Sequence, residues 1–187
     1  KLVNLELEEF KDFNKNRYQI SELIKSTILE LDCDNVFVLG DTNTTLVGAV
    51  AAKSANKKLF FIESGLRTKD LNQIEEYNRL IVSHLADINF CNHQNNVDNL
   101  IDEGIAKNKI KLTGSTVYSA LKRLNLSESN NYPNDFLLLT LHRPENVDNK
   151  KRLKELIMSL EKLKFKIIFP IHPRTKDKIE SINGLNT

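Results

Sequence analysis

The segment Val36-Phe37-Val38-Leu39-Gly40-Asp41 constrains this chain more than any other. A short apolar run rich in valine and phenylalanine reads as a buried strand. Gly-Asp ends it, and a helix follows over Thr44–Ala55, where Ala49, Ala51, Ala52 and Ala55 allow close packing on a sheet. A buried strand feeding directly into a helix belongs to a βαβ unit. Open parallel sheets built this way keep their ligand crevice beyond the carboxyl ends of the strands. The arrangement returns at Leu59-Phe60-Phe61-Ile62-Glu63-Ser64-Gly65. Asp41 and Glu63 lie 22 positions apart, the length of one helix plus one strand. They are therefore expected to end neighbouring parallel strands and to face one cleft.

Strand and helix alternate along the rest of the chain. The spacing of Ile20, Leu23, Ile24, Thr27, Ile28 and Leu31 predicts an amphipathic helix over Arg17–Leu31, before strand Val36–Leu39. After strand Lys58–Ile62 come helix Glu75–Ala86, strand Ile88–Cys91, helix Gln94–Glu103 ended by Gly104, and strand Ile110–Leu112. This order predicts a parallel sheet covered by helices on both faces. A polar stretch, Asn125–Asn134, reads as an interdomain connection. The pattern restarts with strand Phe136–Leu141, helix Asn149–Leu163, strand Lys166–Pro170 and helix Arg174–Ser181. The expected class is α/β with two Rossmann-like domains, 1–115 and 116–187. Both read as incomplete: the first opens on a helix where βαβ order requires a strand. The second stops after two strands, which leave long unpaired edges. The chain is expected to be part of a longer protein.

Composition narrows the classes. An apolar content of 40% over 187 residues can fill a core, and a net charge of +2 is too small to imply nucleic acid. Residues 1–115 carry 14 Lys/Arg against 17 Asp/Glu and residues 116–187 carry 13 against 8, giving −3 and +5. The basic second half either favours an anionic ligand or reflects a solvated face carrying Lys150, Lys151, Arg152 and Lys154. Cys33 and Cys91 form no disulfide framework, and Cys91 at a strand end is expected to be buried and reduced, in keeping with a cytoplasmic protein. No apolar run approaches membrane-spanning length, and the first residues do not resemble a signal peptide. Neither cysteine has zinc-site spacing to a histidine, and Gly40, Gly48 and Gly65 make no G-x-G-x-x-G fingerprint for a nicotinamide cofactor.

Six motifs in order carry a resemblance. Gly40-Asp41-Thr42-Asn43-Thr44-Thr45-Leu46, Ile62-Glu63-Ser64-Gly65-Leu66-Arg67-Thr68, Glu75-Glu76-Tyr77-Asn78-Arg79, Thr113-Gly114-Ser115, Leu139-Thr140-Leu141-His142-Arg143-Pro144-Glu145-Asn146 and Pro170-Ile171-His172-Pro173 resemble successive motifs of UDP-N-acetylglucosamine 2-epimerases. The resemblance covers roughly residues 17–182. It implies a fold of the GT-B type, with the nucleotide sugar between two Rossmann-like halves. The family's opening strand with a Gly-Thr-Arg-Pro loop and its late Asp-Ser-Gly-Gly stretch are not in this sequence. The implied reaction inverts C2 of the sugar by eliminating uridine diphosphate to a glycal and adding it back, without metal or redox cofactor. Carboxylates can move the proton where burial raises their pKa, and arginines suit the phosphates. UDP-N-acetylglucosamine is the implied partner, and family precedent suggests a homodimer. A hydrolysing relative, epimerases of other UDP-2-acetamido sugars such as diacetamido uronates, and a non-catalytic nucleotide-sugar-binding module are the alternatives.

Motif matching makes Asp41, Glu63, Glu75 and His142 the catalytic candidates, and Arg67, Arg79, Arg143 and His172 the substrate-binding ones. Each has a structural alternative. Asp41 could cap the following helix, as could Thr42 or Thr44. Glu75 and Arg79 could form an ordinary i,i+4 pair worth about 0.2–0.5 kcal/mol. Arg67 could pair with Asp70 or reach substrate. Ile74 stands where the family has Pro, which could shift the helix start and Glu75 with it. Pro144 replaces a second Arg of some relatives. His84 is expected to be packed with its ring satisfied, and His93 to start a surface helix.

Overall fold

A computed structural model describes residues 5, 12, 13, 15–124 and 135–180. The chain divides into two compact units, Lys1–Leu126 and Ser127–Thr187. The division groups residues 116–124 with the first unit, whereas the sequence expectation places the boundary at 115/116. The expected connection over 125–134 lies outside the described residues.

The first unit runs α1 (Arg17–Glu30), β1 (Asn35–Leu39), α2 (Asn43–Ser54), β2 (Lys58–Ser64), α3 (Ile74–Leu85), β3 (Ile88–Cys91), α4 (Gln94–Asp102), a 3₁₀ turn (Lys107–Lys109), β4 (Ile110–Leu112) and α5 (Thr116–Arg123). All strands are parallel, in the order β1-β2-β3-β4. Val38, Leu59 and Phe61 point to one face, where Ala49, Ala51 and Ala52 of α2, Val82 of α3 and Ile28 of α1 pack on them. The alanine stripe lets α2 come close: a Cβ at Gly48 would stand 3.5 Å from Val38 Cγ1. Cys91, Leu100, Ile105 and Ile110 continue this layer beneath α4. Fully burying a side chain such as Phe61 contributes about 1.5–3 kcal/mol.

The opposite face is not covered among the described residues, contrary to the sequence expectation. Phe37, Phe60 and Phe90 stack across β1, β2 and β3, with centroids 4.7 and 6.2 Å apart. Phe37 remains 59% exposed. The cause is topological. Each strand joins on the same side of the one before it, and right-handed crossovers then put α2, α3 and α4 on a single face.

The second unit runs β5 (Phe136–Leu138), α6 (Pro144–Val147), α7 (Lys150–Glu161), β6 (Lys166–Ile168) and α8 (Pro173–Glu180). Its two strands are parallel. Val147, Leu153 and Ile179 form its core, with Leu141, Ile157 and Phe169 against them. Asp148 clamps α8 by accepting hydrogen bonds from Arg174 Nη2 (2.7 Å) and from Lys178 Nζ. These two cations hold its carboxyl down at about 2. Both strands are shorter than expected, and neither α5 nor α6 is predicted by the sequence reading. No described helix is long and apolar enough to cross a membrane.

Candidate active site

Asp41 and Glu63 leave adjacent parallel strands, as expected. Leu39 registers with Ile62, and the Gly40 N–H closes on the Ile62 carbonyl at 3.3 Å. Asp41 does not cap α2. Thr42 does, accepting the Thr45 N–H on its Oγ1 (3.3 Å), while Thr45 Oγ1 donates to the Leu39 carbonyl (2.8 Å). Asp41 is thereby left for other work. Its Oδ2 accepts from Arg79 Nε at 3.0 Å and from Arg79 Nη2, and its carbonyl accepts from Asn78 Nδ2 at 2.8 Å. Helix α3 thus holds Asp41 at both its backbone and its carboxylate, whose side chain keeps 33% exposure.

Glu63 sits in a β-bulge of β2, where the register with β3 shifts between Ile62 and Ser64. Its φ is +65°, a left-handed conformation that a non-glycine residue holds only where its surroundings determine it. Thr116, at the start of α5, donates its hydroxyl to Glu63 Oε1. Beside that contact a shallow pocket is lined by Thr113, Gly114, Ser115, Thr116, Ser119 and Arg123. Gly65 follows at φ +84°, and a Cβ there would lie 2.3 Å from the Asn96 carbonyl oxygen, so the turn demands glycine.

The glutamates of α3 divide differently from the sequence expectation. Glu75 is exposed in the first turn, and Arg79 pairs instead with Glu76 (2.9 Å) and Asp41. Glu76 is 2% exposed and accepts the Thr68 and Lys69 N–H groups, the Thr68 hydroxyl and Arg79 Nη1. Burial is the largest single influence and pushes its carboxyl up. The donors together outweigh it and hold the group below its ordinary value. The helix begins at Ile74, so the proline's absence leaves its first position in place.

Arg67 does not pair with Asp70. Its side chain is 3% exposed and bound to Glu103 through Nε and Nη2, both at 2.7 Å, with Ser83 Oγ and the Leu66 carbonyl as further acceptors. A buried polar belt continues through Asn89, which accepts from Ser64 Oγ (2.7 Å) and donates to the Ser83 carbonyl (3.1 Å). His84 is exposed rather than packed, its Nδ1 2.9 Å from the Leu80 carbonyl. His93 starts α4 as expected, accepting the Asn95 N–H. Burial pushes the Cys91 thiol up to about 11, which keeps it protonated and unreactive.

In the second unit His142 and His172 stack, with centroids 5.1 Å apart. Thr175 brings them together by donating its hydroxyl to the Leu141 carbonyl at 2.6 Å, which draws the first turn of α8 to the chain after β5. His172 Nδ1 accepts the Arg174 N–H (3.1 Å), leaving its Nε2 for another partner. Both rings are exposed. His142 lies four residues past the end of β5, not at it. Arg143 is exposed, with a loose contact of 3.9 Å to Glu145. Among the described residues no group of three or more His, Cys, Asp or Glu could hold a metal ion.

Sequence reasoning missed Glu76, Asn78 and Thr116. The signal for Glu76 was present. Residues 76, 79 and 83 recur at i, i+3 and i+7 on the face of α3 that also carries Val82. Position 75 falls one step round, towards solvent.

The model of the UDP-N-acetylglucosamine 2-epimerase family matches residues 3–186. The chain is 39% identical to a UDP-N-acetylglucosamine 2-epimerase of Methanocaldococcus jannaschii, over 86% of this chain and 48% of that protein. It is 33% identical to a UDP-2,3-diacetamido-2,3-dideoxy-D-glucuronate 2-epimerase of Pseudomonas aeruginosa, over 85% of this chain and 48% of that protein. The crystal structure of Methanocaldococcus jannaschii UDP-GlcNAc 2-epimerase in complex with UDP-GlcNAc and UDP superposes with a TM-score of 0.80 at 37% identity, covering 90% of this chain and 50% of that one. The chain spans about half the length of the relatives it matches.

Proposed function

Because this chain belongs to the UDP-N-acetylglucosamine 2-epimerase family, we propose that its protein interconverts UDP-N-acetylglucosamine and UDP-N-acetylmannosamine. The observation that carries the reading is the pair of acids leaving adjacent strands, Asp41 held by Arg79 and Glu63 held in a strained bulge by Thr116. In this proposal one carboxylate removes the C2 proton as the C1–O bond to uridine diphosphate breaks, giving a glycal. The other acid delivers a proton to the opposite face, and the diphosphate returns to C1. Glu75 is the third carboxylate, His142 assists departure of the diphosphate, and Arg143 and His172 bind it. Arg79 orients Asp41 beside the sugar. Arg67 supports the turn after Glu63 from within the core rather than touching substrate. The protein works as a homodimer in the cytoplasm.

The 33% identity to the Pseudomonas aeruginosa diacetamido-glucuronate epimerase favours a second substrate, a UDP-2,3-diacetamido uronate. The experiment incubates the full-length protein in deuterated water with each nucleotide sugar, followed by proton NMR and mass spectrometry. The expected product is UDP-N-acetylmannosamine carrying one deuterium at C2, abolished by Asp41→Asn and by Glu63→Gln. Free uridine diphosphate with N-acetylmannosamine would indicate a hydrolysing enzyme. Turnover of only the uronate would replace the substrate, and no exchange with either sugar would leave a binding module.

A further inference from the structure

Glu76 is the one buried acid among the described residues of the site, and no step proposed above uses it. A buried carboxylate is tolerable only with a full set of donors. Glu76 has them: Thr68 N–H (3.0 Å), Thr68 Oγ1 (3.1 Å), Lys69 N–H (2.9 Å) and Arg79 Nη1 (2.9 Å). The turn it grips is the one that follows Glu63-Ser64-Gly65, and Lys69 within it has φ +61°. The helix it stands on also carries Arg79, whose Nε and Nη2 both reach Asp41 Oδ2. A guanidinium with one carboxylate can pivot about that contact. With carboxylates on two sides of its fork, a single orientation serves both.

We propose that Glu76 is the positioning residue of this site: by fixing the Arg79 guanidinium it fixes the Asp41 carboxylate, and through Thr68 and Lys69 it fixes the turn leaving Glu63. This rests on the reading of Asp41 and Glu63 as the acid–base pair. Asn78 makes the role separable from simple folding. It is 1% exposed and donates to the Asp41 carbonyl and to Asn43 Oδ1, so the Asp41 backbone stays held when Glu76 is changed. What Glu76 alone controls is the aim of the side chains.

Two readouts test this. In the present chain, nitrogen-15 NMR of Arg79 is expected to give a protected Nε–H and resolved Nη signals. Glu76→Gln should average the Nη signals by freeing rotation of the guanidinium. In the full-length enzyme, assayed well below its melting temperature, Glu76→Gln should lower kcat by about 10- to 100-fold with KM changed less than about threefold, since a misplacement of roughly 1 Å costs on the order of 10²-fold. Glu76→Asp keeps the charge but shortens the reach, and should fall between the two in kcat. It also decides the matter alone if Glu76→Gln does not fold. Unchanged Arg79 signals, or an unchanged kcat in whichever variant folds, overturns the positioning role. A wild-type enzyme that epimerises neither sugar overturns the functional reading instead, and the Arg79 spectra then still judge Glu76.

Discussion

Gly65 combines a left-handed backbone with a position that leaves no room for a methyl group. Gly65→Ala is expected to cost about 3 kcal/mol or more, combining strain with overpacking. For a chain of this size that lowers Tm by roughly 10 °C, as a thermal melt will measure. Glu76 sets an acid limit. Its folded carboxyl lies below the ordinary 4.5, so the folded state binds its proton more weakly than the unfolded state. The stability it contributes is complete above about pH 4.5 and is lost as pH falls through the lowered folded value. The Thr68 and Lys69 amide proton shifts should therefore titrate with a midpoint under 4.5; a midpoint at or above it contradicts the assignment. Asp41 and Glu63 were legible because an acid after an apolar strand has left the core. Arg67 was not, because its partner Glu103 stands 36 positions away and only the fold brings them together.

Helix α3 starts at Ile74 after an extended Gln73 (φ −92°, ψ 123°) with no side-chain cap. That backbone already suits the residue before a proline, and the first helical N–H needs no partner within the helix. Ile74→Pro should therefore stabilise by about 0.4–1 kcal/mol, raising Tm by roughly 1–4 °C. A lowered Tm in calorimetry would mean that the Ile74 N–H or side chain is needed. The strands and helices from α1 to β4 were readable to within a residue or two because each is a short apolar or periodic run between clear breaks. The shorter strands of the second unit were not. Leu139–Leu141 continue the apolar run of β5, but only the Leu139 N–H still pairs with β6, through the Ile168 carbonyl. Apolar character marks residues that avoid water, whereas strand assignment depends on a neighbour to pair with. Helix α5 carries Val117, Tyr118 and Leu121, all exposed, so its apolar face has no partner among the described residues to give it away.

The open sheet face dominates the behaviour expected of the whole chain on its own. Phe37 and Leu39 are more than half exposed, alongside the half-buried Phe60 and Phe90. Exposed apolar patches of this kind drive association. Sedimentation velocity should detect concentration-dependent self-association of the 187-residue chain with strong binding of a hydrophobic dye, both reduced by Phe37→Lys. A monomer that ignores the dye would mean the face is covered. The same strand order has a consequence for synthesis. Because β2 pairs with β1, β3 with β2 and β4 with β3, each strand emerging from a ribosome finds its template already made. The sheet can grow in the direction of translation without waiting for a distant partner, and the closure entropy of each step is that of one helical crossover.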